Sequence, residues 1–82
     1  MKVYLFVQNI VCDSEDFGVK TELFMSEGEA LKYFNGVVKE EREIAKEGKF
    51  VIEKDEKYSF CAYLDGEYIN EHTTNEIRVF EI

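Results

Sequence analysis

The stretch that decides the fold is "SEGEALKYFNGVVKEEREIAKEG", residues 26 to 48. Ser26 stands three residues before Glu29, the spacing of a capping box, in which the serine hydroxyl accepts from the Glu29 amide. At about 100° per residue, Ala30, Phe34, Val37, Val38, Ile44 and Ala45 fall on one side, with Leu31 and Tyr33 at the margins. Gly48 supplies the left-handed stop. The segment therefore predicts one helix of about five turns. Gly28 and Gly36 each weaken it by about 1 kcal/mol relative to alanine. Gly36 lies near the polar side, so close helix packing does not explain it.

Outward from this helix the pattern is that of strands. Val3 to Val11 and Val19 to Met25 read as two strands joined through "CDSEDFG", residues 12 to 18. After Gly48 come Phe50 to Glu53, a polar turn at Lys54, Asp55 and Glu56, and Tyr58 to Leu64. Asp65-Gly66 signals a tight hairpin turn into Glu67 to Glu71. A polar connection, "HTTNE", leads to a last strand over Ile77 to Ile82. The order read from the sequence is β-β-α-β-β-β-β. Short connections imply a mainly antiparallel sheet, and one long helix covers one face of it. The expectation is a single α+β domain over residues 1–82, a two-layer sandwich.

Composition narrows the functional classes. The chain has 82 residues with 18 acidic and 10 basic side chains, a formal net charge of −8. Such a balance repels a phosphate backbone, which is held by lysine and arginine displacing counterions. Direct nucleic-acid binding is not expected. No run is long enough to span a membrane, and "MKVYLFVQNI" lacks the cleavage site of a signal peptide. Cys12 and Cys61 are far apart in the chain and read as two reduced thiols. The expected compartment is the cytoplasm.

Chemistry has few candidates. "CDSEDFG" carries three carboxylates in four positions and resembles the start of a calcium loop. Phe17 and Phe24 occupy two positions where that loop needs oxygen ligands, so no metal site is expected. His72 is the single histidine, placed at a strand end or loop, with no nucleophile adjacent in sequence. No phosphate-binding glycine loop or nucleotide fingerprint is present. The sequence points to no enzyme, no cofactor and no small-molecule substrate.

The residues that suggest contact with another protein are aromatic. If Val3, Leu5 and Val7 face the helix, Tyr4 and Phe6 face away from it. Two-residue register across Asp65-Gly66 pairs Tyr63 with Tyr68 on the same uncovered face. Tyr4, Phe6, Tyr63 and Tyr68 are thus the expected contact cluster, for a protein partner or for a second copy in a homodimer. Glu41 falls inside the apolar stripe of the helix. It either emerges beyond the core or meets a cation, such as Arg78 or a partner's side chain. The leading function read from the sequence is protein–protein contact through the sheet face, the acidic loops, or both. The alternative is an acidic nucleic-acid mimic that occupies the basic groove of a DNA- or RNA-processing protein, as phage-encoded inhibitors do. It requires carboxylates arrayed along one face. The turn-borne acids Asp13, Glu15, Asp16, Asp55, Glu56, Asp65 and Glu67 are its candidates, and the basic stripe of Lys32, Lys39, Arg42 and Lys46 counts against it.

Overall fold

A computed structural model describes residues 1–12, 15–48, 50–65 and 70–82, with every side chain among them except those of residues 15–17, 65 and 70. The order is β1 (Lys2–Cys12), β2 (Glu15–Phe24), α1 (Glu27–Lys46), β3 (Val51–Glu56), β4 (Ser59–Asp65) and β5 (Asn70–Glu81). The five strands form one sheet in the order β2-β1-β5-β4-β3, and every pairing is antiparallel. The helix packs on the sheet, giving the α+β architecture expected from the sequence.

The helix begins and ends where its signals lie. The Glu29 amide donates to Ser26 Oγ at 3.2 Å, and Gly48 takes φ +80°, the left-handed conformation that glycine adopts at least cost. Ala30, Phe34 and Val38 are buried against Phe6 of β1, Phe60 and Ala62 of β4, and Ile77 of β5. Phe6 meets Tyr33 and Phe34 edge-on, with ring centroids 5.1 and 6.3 Å apart. Such pairs add about 0.5–1.5 kcal/mol beyond the area they bury. At the start of the helix, the Tyr58 hydroxyl donates to the Glu27 carboxylate, tying the β3–β4 turn to α1. That bond pushes the Tyr58 hydroxyl up to about 12 and holds Glu27 below its ordinary value.

Three boundaries differ from the sequence reading. Residues 70–81 form one continuous strand, not two strands with a connection at "HTTNE". Thr73 and Asn75 are buried there, held between β1 and β4. Polar residues that resemble a loop are stable in a central strand once both ladders satisfy their backbone. Lys54, Asp55 and Glu56 belong to β3, and the turn falls at Lys57 and Tyr58. The β4–β5 hairpin pairs Tyr63 with His72 and Asp65 with Asn70, where the expected two-residue turn sets Tyr63 opposite Tyr68.

The larger correction concerns β1. Phe6 is fully buried on the helix side and Tyr4 packs against the same cluster. Alternation then turns Val3, Leu5, Val7 and Val11 to the uncovered face. Both sets of β1 are apolar, and alternation shows which residues share a face without showing which face is covered.

Candidate functional site

Two surfaces follow from this inversion. The first is the uncovered face of the sheet. On β1 it presents Val3, Leu5, Val7, Asn9 and Val11, and on β2 the neighbours of Leu5, Val7 and Asn9, which are Leu23, Thr21 and Val19. None of these eight side chains is charged, in a chain where 34% of residues are. Beyond the register shift Val11 pairs with Asp16, whose side chain lies outside those described. Val19 and Leu23 are 65% and 60% exposed, whereas Val3 is buried and Leu5, Val7, Asn9 and Val11 are half-buried. Phe80 opposite Val3 extends the apolar area, at 46% exposure. Toward β4 and β3 the face becomes polar. Arg78 Nη2 lies 2.7 Å from Glu76 Oε1, and His72 Nε2 lies 3.3 Å from Glu53 Oε2. His72 sits inside β5, opposite Val11 and Tyr63, and not at a strand end or in a loop.

Of the residues expected on this face, Tyr63 is there, half-buried between His72 of β5 and Val51 of β3. Tyr4 and Phe6 are on the other side, in or against the core. Tyr68 lies outside the described residues. The uncovered face is therefore aliphatic on β1 and β2, with Tyr63 on β4. The sequence does hold a signal for it. Val19, Thr21 and Leu23 alternate with Lys20 and Glu22, and β2 turns that uncharged set outward.

Glu41 turns toward the sheet. It is half-buried between helix and sheet, and Asn75 Nδ2 donates to its Oε2 at 2.8 Å. Asn75 is fully buried, and its Oδ1 accepts from Gln8 Nε2 at 2.9 Å. A neutral amide, not Arg78 or another cation, satisfies the carboxylate. Burial holds Glu41 above its ordinary value, the Asn75 bond pulls it partly back, and Glu71 adds a smaller upward push.

The second surface is an open groove of about 750 Å³ between α1 and β2, lined by residues including Lys20, Phe24, Lys32, Tyr33 and Gly36. A Cβ at Gly36 would meet nothing within 4 Å, so this glycine marks open space and not a close helix contact. The Lys20 ammonium stands 5.3 Å from the Tyr33 ring centroid. Further along the helix, Arg42 makes a two-pronged bond to Asp55, at 2.6 and 3.2 Å.

The acids divide by topology. Cys12 pairs with Glu71, so the β1–β2 and β4–β5 hairpins turn at the same end of the sheet. Asp55 and Glu56 lie at the opposite end, near the β3–β4 turn. Among the described residues, no group of three or more histidine, cysteine or acidic side chains could hold a metal ion, and no helix is long and apolar enough to cross a membrane. No protein-family model, curated protein or solved structure matches this chain.

Proposed function

We propose that the protein works by protein–protein contact, without catalysis, through the uncovered sheet face. The partner is a protein with an apolar patch rimmed by lysine and arginine. One observation carries this reading: eight outward positions on β1 and β2 are uncharged in a chain of net charge −8. Removing such aliphatic surface from water favours association by about 25 cal/mol per Å² before ordering costs. The surrounding negative charge speeds the approach of a basic rim.

The test is differential capture from native lysate. Val7→Lys places one charge in the middle of the face, opposite Glu76 and Thr21. Lys39→Glu changes the exposed side of the helix instead. Partners should be lost with Val7→Lys and kept with Lys39→Glu, while both variants melt cooperatively. An identical set of captured proteins with both variants contradicts the proposal.

A second reading, the nucleic-acid mimic, draws support from the shared end of the two hairpins, where Glu15, Asp16, Asp65 and Glu71 come together along the chain. Its partner would be released at about 1 M salt, where the screening length is roughly 3 Å. A contact through the aliphatic face survives that salt.

A further inference from the structure

We infer that the chain pairs with a second copy of itself along the outer edge of β2, in an antiparallel register centred on Thr21. β2 has a sheet neighbour on one side only, β1. Its regular part runs from Gly18 to Phe24, where it pairs without interruption against Ile10 to Tyr4. Beyond Gly18, which takes φ +142°, the register shifts at a bulge. The midpoint of the regular stretch is Thr21. The other edge strand, β3, is shorter, carries its own register shift at Ile52/Lys54, and holds four charges from Glu53 to Glu56. Such features blunt an edge; β2 between Gly18 and Phe24 is regular and carries two charges of opposite sign, Lys20 and Glu22.

Sequence complementarity fixes the register. With Thr21 opposite Thr21 of the second copy, Lys20 stands opposite Glu22 and Glu22 opposite Lys20. Both pairs lie on the helix side of the sheet, since Lys20 neighbours Gln8 and Glu22 neighbours Phe6. On the other side Val19 meets Leu23, and these are the two most exposed aliphatic residues of β2. At the ends Gly18 stands opposite Phe24, and a Cβ at Gly18 has nothing within 4 Å, so the ring has room to lie across it. Moving the centre to residue 20 sets lysine against lysine, and moving it to 22 sets glutamate against glutamate. Opposite charges facing each other across strands stabilise the pairing, and like charges oppose it. A two-fold axis normal to the sheet keeps both helices on one side and joins the two uncovered faces into one. The inference is independent of the function proposed for that face, which remains exposed in the dimer.

Sedimentation of the full chain tests it over roughly 1 µM to 1 mM. The parent should pass from 9.6 kDa toward twice that mass. Glu22→Lys alone, or Lys20→Glu alone, should weaken the dimer about tenfold or more, because each sets like charges opposite. The double swap, Lys20→Glu with Glu22→Lys, restores the pairing and should restore the dimer. Thr21→Cys should form a disulfide-linked dimer under mild oxidation faster than Val19→Cys does. A parent that stays monomeric throughout overturns the inference and leaves the proposed partner surface untouched. So does a dimer that the single reversals leave intact, or one that the double swap does not restore.

Discussion

Asn75 shows how much rests on one amide. It is fully buried in the central strand and bonds Gln8 on one side and Glu41 on the other. The apolar periodicity of the helix marks Glu41 as an anomaly. It could not reveal the partner, because Asn75 lies 34 residues away in a segment that reads as loop. The pH dependence follows from burial. Folding raises Glu41 above its ordinary value of 4.5. The native state then holds the proton more tightly than the unfolded chain, so the contribution is present below 4.5 and is lost as pH rises through the raised native value. Glu41→Gln keeps an oxygen acceptor for Asn75 and carries no charge. The variant should be more stable than the parent in urea at about pH 7, and the gain should shrink toward about pH 4. A gain that grows on acidification contradicts the assignment. Asn9 gives a second test. Its Oδ1 is buried and has no hydrogen-bond partner among the described residues. Asn9→Val should raise stability by about 1 kcal/mol, or roughly 4–8 °C in melting temperature.

Among the elements, the helix was the most legible, since Ser26, the 3.6-residue stripe and Gly48 all mark the same segment and the cap is made as expected. The strands were legible as strands, and their faces were not. In β4, polar and apolar residues alternate clearly enough to place Phe60 and Ala62 on the core side, and both are buried. In β1 both sets are apolar, so the covered side is decided by packing with the helix, where Phe6 fills the space beside Ala30 and Phe34. The two faces should respond differently to truncation. Phe6→Ala should cost about 3–5 kcal/mol, the range for emptying a buried aromatic site. Leu5→Ala, on the uncovered face, should cost clearly less. Equal losses in denaturant titrations would argue that both sides of β1 are covered. β5 carries a further test at this scale. Backbone amides that pair with β1 or β4 within residues 72–76 should exchange slowly with deuterated water, as befits a central strand and not a loop.

At the scale of the molecule, the sequence conveyed the α+β class, the single helix and the acidic balance, and it misplaced which side chains of β1 face away from the helix. It also misplaced one register. The Asp65-Gly66 signal implies a two-residue turn that sets Tyr68 opposite Tyr63, while Tyr63 pairs with His72. The inversion of β1 exchanges aromatic residues for aliphatic ones on the open side. The molecule measures 47 × 25 × 15 Å, and its 20-residue helix spans about 30 Å. One helix therefore covers one face of the sheet, and on the opposite face β2 is exposed while the side chains of β1 are half-buried, Val3 more deeply. The exposure of that face can be read without any partner, from methyl relaxation in dilute solution with a neutral paramagnetic agent added. The methyl groups of Leu5, Val7 and Val11 should relax strongly, and those of Val38 and Ile77 should be protected. Protection of Leu5, Val7 and Val11 equal to that of Val38 and Ile77 would contradict an open aliphatic face.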